Sequence, residues 1–191
     1  MSSDWQPPRT PLFGIALIPP PPAEEEGEAE DTSPSVPPAS CQPAVSNRAE
    51  PQPEPHVSRA ESGGWTAVAV SPFVPAVIAA ASETDADLWP EKWLHPAERR
   101  ALARFAPHQR RQALALLTAA RRALVQALAL PEPAAAHMDL SPLLDGVQSL
   151  RIGGWTLQRI PAPSGLQVVA AAPGSGWSYT LLPPEERSGA R

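Results

Sequence analysis

Proline limits what this chain can fold into more than any other residue, and it is unevenly spread. Fourteen of the 27 prolines fall in residues 1–62. Each fixes φ at about −65° and removes an amide donor, so neither a helix nor a strand ladder propagates through them. The same stretch has ten carboxylates against three arginines, a net charge of −7, and only one of the six tryptophans. Few apolar groups are available to offset an ordering entropy of about 1–2 kcal/mol per residue. Residues 1–62 are therefore expected to form a disordered, acidic, proline-rich tail. Its most acidic stretch is residues 24–31, EEEGEAED, just after the Pro19–Pro22 run. One segment stands out from this background: Leu12–Ile18 is wholly apolar, and is the natural anchor for a partner or for the protein's own domain. It runs into prolines rather than small residues, unlike a secretory signal peptide.

The remaining residues carry 12 basic and 10 acidic groups and five tryptophans, enough chain and apolar material for one core. The fold class expected for 63–185 is α+β, a helical pair packed with a small antiparallel β-meander. The uncharged, alanine-rich run of residues 65–81 is nearly long enough to span a membrane. Pro72 and Pro75 interrupt it, so the expected structure is a strand at 65–70, a turn, and one or two helical turns at 75–81. Pro96 at a first helical position and Glu98 in the first turn open a helix at 96–105. Pro107 opens a second at 107–130, with an apolar face of Ala113, Leu116, Leu117, Ala120, Leu124, Ala127 and Leu128. Arg111, Thr118, Arg122 and Gln126 fall on the opposite side. Alternating apolar residues and turn signals then place strands at 147–160, 166–171 and 177–182. Residues 166–171 are apolar on both faces, which suits a central strand. The tetrapeptide GGWT occurs at 63–66 and at 153–156, each time opening an apolar strand. Recurrence of local turn chemistry accounts for it, and Gly153-Gly154 suggests a bulge or kink.

Chemical motifs are sparse. The four histidines, 56, 95, 108 and 137, and the single Cys41 show no zinc-site spacing. His137 and Asp139 could form half of an acid–base site, but a solvated loop pair is the simpler reading. Gly174-Ser175-Gly176 leads into a strand, so it offers no helix N-terminus to a phosphate. One cysteine makes no internal disulfide, and nothing demands an oxidising compartment.

The clearest pattern is electrostatic. Between His95 and Leu130 there are seven arginines, Arg99, Arg100, Arg104, Arg110, Arg111, Arg121 and Arg122, against one acid, Glu98. They are the candidate interaction residues, a basic helical face that the acidic tail could shield. In the same region Leu94, Glu98, Phe105, Arg111 and Arg122, followed by Leu124 and Leu128, resemble the first helices of phosphopantetheinyl transferases. The resemblance covers residues 94–128 and implies a diverged transferase-like domain. That family's chemistry uses an Asp-x-Glu metal pair and a Trp-x-x-Lys-Glu element. Neither occurs after Leu130, so no catalytic or metal-binding residue carries over.

The expected protein is thus a cytoplasmic, non-enzymatic interaction or adaptor protein without a cofactor. Its layout is that of accessory and length-control proteins of secretion machines. The expected partner is a protein; a nucleic-acid-binding module is the alternative, and a membrane partner is not expected. Deleting residues 1–62 is expected to leave a folded domain.

Overall fold

A computed structural model describes residues 12–20, 54–72, 74–85, 93–174 and 177–182. Among the described residues, eight strands and four helices make an α+β fold in three layers. The strands are β1 (Leu12–Ile18), β2 (His56–Ser62), β3 (Trp65–Ser71), β4 (Val77–Ser82), β5 (Ser149–Ile152), β6 (Trp155–Ile160), β7 (Leu166–Pro173) and β8 (Ser178–Leu182). The helices are α1 (Pro96–Leu102), α2 (Pro107–Leu128), α3 (Glu132–Ala135) and α4 (Ser141–Leu144).

The outer layer, sheet A, has strand order β2-β3-β1-β8. The middle layer, sheet B, has the order β4-β7-β6-β5. All pairings are antiparallel except β1 with β8, which is parallel. The helices form the third layer, on the face of sheet B turned away from sheet A.

The apolar run Leu12–Ile18 therefore belongs to the fold, as an interior strand of sheet A. Phe13 and Ile15 are 1% and 0% exposed. Strand β2 also comes from the expected tail. The tail boundary at residue 62 is corrected accordingly, because removing residues 1–62 would take two of the four strands of sheet A. Residues 1–11 and 21–53, where the rest of the expected disorder falls, lie outside the described residues.

Sheet B is buried on both faces, which explains its composition. Ile78 and Ala80 of β4 and Val168, Ala170 and Ala172 of β7 meet Phe13, Ile15, Ala67 and Ala69 of sheet A. Ala79, Ala81, Val169 and Ala171 meet α2. Alanine on both sides of that contact lets the helix lie close to the sheet. A strand buried on two sides needs an unbroken apolar run rather than alternation. For that reason residues 77–82 are a strand where helical turns were expected, while 166–173 is central, as its sequence suggests. The Pro72–Pro75 region carries the chain from sheet A to sheet B. Among the described residues no helix is long and apolar enough to cross a membrane.

Both Gly-Gly pairs are two-residue hairpin turns. Gly63 and Gly64 have φ of 56° and 78°, and Gly153 and Gly154 have 57° and 83°. Two consecutive positive φ values define a type I′ turn, whose twist matches that of the paired strands. The bulge expected at Gly153 is therefore a tight turn, with Ile152 opposite Trp155. The two hairpins diverge after one strand: β4 crosses to the other sheet, whereas β7 stays beside β6. The third strand of the expected meander, β8, leaves for sheet A. Trp177 ahead of it is 7% exposed, stands edge-on to Phe13 with centroids 4.8 Å apart, and donates its indole N–H to the Thr156 carbonyl at 3.2 Å.

Candidate functional site: the helical layer and its groove

Helix α1 starts where the sequence places it. His95 is the N-cap, Pro96 takes the first turn, and the Glu98 carboxylate accepts the His95 amide at 2.9 Å. The helix ends at Leu102 rather than at 105. Glu98 has a second role that the sequence hides. It is 0% exposed, forms an ion pair with the equally buried Arg121 of α2, and accepts the amide of Leu140 at 3.0 Å. Arg121 also donates to the carbonyl of Ala135. One carboxylate thus joins α1, α2 and the loop ahead of α4, while its guanidinium partner adds the end of α3. Burial pulls the Arg121 guanidinium below its usual range, opposed by the charges of Glu98 and Asp139.

Asp85 is a second junction. It accepts the Ser62 hydroxyl at the end of β2, and both the amide (2.9 Å) and the hydroxyl (3.1 Å) of Ser82 in β4. Arg122 of α2 lies 3.7 Å away and donates to the Ala80 carbonyl at 2.9 Å. Burial alone would raise the Asp85 pKa. The hydrogen bonds from Ser62 and Ser82 and the charge of Arg122 outweigh it and hold the carboxyl below its ordinary value.

The seven candidate arginines consequently do not share one face. Arg121 is interior and Arg122 is half-buried against sheet B. Arg104 bridges to Asp145 at 2.6 Å across the surface. Arg99, Arg100 and Arg111 are exposed, and Arg110 is half-buried. Thr118, expected on the solvent side of α2, is 2% exposed and donates to the Leu114 carbonyl at 2.9 Å. A two-sided burial of α2, by sheet B and by the short helices, overrides the amphipathic pattern. His137 is exposed and Asp139 pairs instead with His95, Nδ1 to Oδ1 at 3.7 Å. The Ser141 hydrogen bonds, helped by the charges of His95 and Arg100, hold Asp139 below the ordinary carboxylate value against burial. Among the described residues no group of three or more His, Cys, Asp or Glu could hold a metal ion.

What the helices do build is a groove. Two adjoining cavities of about 310 and 230 Å³ share Gln112, Arg159 and Gln167. The smaller has an apolar floor of Phe105, Leu116, Leu143 and Leu144. The larger runs under the β6–β7 turn, beside Gln148. A third cavity of about 280 Å³ is lined by Arg100, Arg104, Ser141 and Asp145. It shares no lining residue with the other two. The Arg159 backbone N–H donates to the Gln148 carbonyl at 2.9 Å, and its side chain donates to Gln167 Oε1 at 3.1 Å. Arg159, Gln112, Gln148 and Gln167 were not singled out from the sequence. They sit far apart along the chain, and only the packing of α2 over the end of sheet B brings them together.

These features define a three-layer α/β/β domain with an open, partly apolar, arginine-flanked groove on its helical side. No protein family and no curated protein sequence matches the chain.

Proposed function

We propose that the protein is a non-catalytic interaction module whose groove takes an acidic, partly apolar segment of a protein partner. The supporting observation is the make-up of the groove: Arg159 stands beside a floor of Phe105, Leu116, Leu143 and Leu144, and Arg100 and Arg104 line a separate cavity of the same helical layer. Asp145 is the one carboxylate among the described lining residues, and it is held by Arg104 in an exposed pair. Such a pair contributes about 0–1 kcal/mol, so an incoming carboxylate displaces it at little cost. Glutamine amides along the rim can donate to and accept from an extended backbone. The acidic stretch 24–31 shares the charge of the proposed ligand, without its large apolar groups, and is proposed as an internal competitor.

Fluorescence anisotropy with labelled peptides tests this. A peptide alternating Glu with Leu or Phe is expected to bind the full chain, and its Lys counterpart is not. R104E/R159E is expected to weaken binding about tenfold, equivalent to about 1.4 kcal/mol, and deleting residues 24–31 to tighten it. Equal binding of both peptides, or a preference for an oligonucleotide with a steep salt dependence, would replace the proposal with a different class of partner.

A further inference from the structure

The polar groups at the end of sheet B are mostly donors. Leu157 and Val169 face the helical layer, so Arg159 and Gln167, each two residues away on the same strands, face it too. Among the described residues, Arg159 is the only charged side chain that lines either of the two adjoining cavities. Gln167 Oε1, at 3.1 Å, is the one described partner of its guanidinium. That bond also orients the glutamine: its oxygen is taken, and its NH2 group is the end left to a ligand. Gln109 is held in the same way, because its Oε1 accepts the Ala106 amide at 3.4 Å. The polar side of the smaller cavity thus presents a guanidinium and two amide NH2 groups, with no carboxylate among its described lining residues. An ionised carboxyl group accepts hydrogen bonds and donates none, so it is the group this set of donors fits.

The same cavity, of about 230 Å³, has the floor of Phe105, Leu116, Leu143 and Leu144. An apolar cavity of about 150 Å³ takes a benzene ring, so the space admits one large apolar side chain with a carboxylate beside it. Cation and apolar floor share one compartment, and one ligand residue must therefore satisfy both. A Glu beside a Leu inside an extended segment does this poorly. Neighbouring side chains point to opposite faces, and the next one on the same face is about 7 Å away. In a C-terminal residue the carboxylate and the side chain branch from a single Cα.

We propose that the smaller cavity captures the free C-terminus of a partner protein that ends in Leu or Phe. Arg159 and the Gln167 and Gln109 amides hold the terminal carboxylate, and the terminal side chain lies on Phe105, Leu116 and Leu143. The preceding residues leave through the larger cavity, under the β6–β7 turn. This rests on the groove reading given above and sharpens it: the charge that matters most is the terminal carboxylate. Terminal carboxylates are a recurring target of peptide-binding sites, and the planar guanidinium suits them better than an ammonium does.

Fluorescence anisotropy with the full chain tests this. The probes are short peptides of Ser, Gly and Ala, labelled at the N-terminus, without acidic side chains and ending in Leu. The free acid is expected to bind, and the C-terminal amide to bind about tenfold or more weakly, as loss of a charge-assisted hydrogen bond requires. A free acid ending in Gly is expected to bind more weakly than the one ending in Leu. R159Q is expected to weaken the Leu acid and leave the amide unchanged; the acid–amide comparison needs no substitution in the protein. Equal binding of acid and amide overturns C-terminal capture. If an amidated peptide alternating Glu with Leu then still binds, and R159Q weakens it, the groove reading stands without capture of a terminus. If neither the Leu acid nor the Glu-Leu peptide binds, both fall.

Discussion

Replacing Glu98 with alanine would remove the carboxylate that joins α1, α2 and the α4 approach. Three interactions go at once: the ion pair with Arg121 and the acceptor bonds to the amides of His95 and Leu140. Arg121 is left with its cationic head 0% exposed and its neutralising partner gone. Breaking a buried pair from one side costs about 3–5 kcal/mol. Two buried amides losing their acceptor add about 1 kcal/mol or more. The expected loss is about 4–6 kcal/mol, a large part of the ~5–15 kcal/mol that holds a domain folded. With a urea dependence of about 1–3 kcal/mol per molar, the unfolding midpoint followed by tryptophan fluorescence falls by about 1.3 M or more. The double variant E98Q/R121M removes both charges and keeps one side-chain oxygen, an acceptor for one of the two amides. It is expected to lose less than E98A alone. An E98A midpoint within about 0.3 M of the parent, or a double variant worse than the two single changes together, would refute the reasoning.

Asp85 and Asp139 both have depressed native pKa values. Their contribution to stability is therefore complete above the unfolded carboxylate pKa of about 3.9 and is lost as pH falls through the lower native values; urea midpoints at pH 7 and pH 3 should show it, with a smaller drop in D85N. Alanine at Gly154 meets only the cost of a positive φ, about 1–2 kcal/mol, because nothing lies within 4 Å of the added Cβ. Alanine at Gly64 meets that cost and the Pro20 contact at 3.1 Å, so its thermal midpoint should be the lower of the two. Deleting residues 1–62, or introducing I15D at a 0% exposed position of β1, is expected to abolish cooperative unfolding in calorimetry; an intact transition would contradict the place of β1 in sheet A.

Local chemistry was legible in the sequence, and long-range pairing was not. The proline starts of α1 and α2 and the central strand expected at 166–171 all depend on residues within a few positions of one another. The alanine-rich strand β4 was misread because alanine favours helix when judged alone, whereas burial between two layers favours the strand. β1 was recognised as apolar and as able to dock on its own domain. Its place between β3 and β8 depends on partners about 50 and 165 residues away in the chain, which no local pattern reports. The candidate site divides in the same way. Charge counting found the arginines, but Arg121 and Glu98 hide a structural pair inside what looked like a solvent face. Arg104 was already among the candidates, whereas Arg159 becomes one only after the end of sheet B is folded against α2.

The parallel pairing of β1 with β8 has a consequence for how the molecule is made. Sheet B and the helices draw only on residues 77–173, so all of their mutual contacts are available before β8 is made. Sheet A cannot close in that order. β1 is translated before the other described strands and flanks β8, the last of them, so one of its edges waits until β8 is made. Contacts so distant along the chain are slow to form, and an apolar strand edge left waiting invites pairing with other chains. Nascent-chain protease protection is therefore expected to appear for the helical layer and sheet B before it appears for β1.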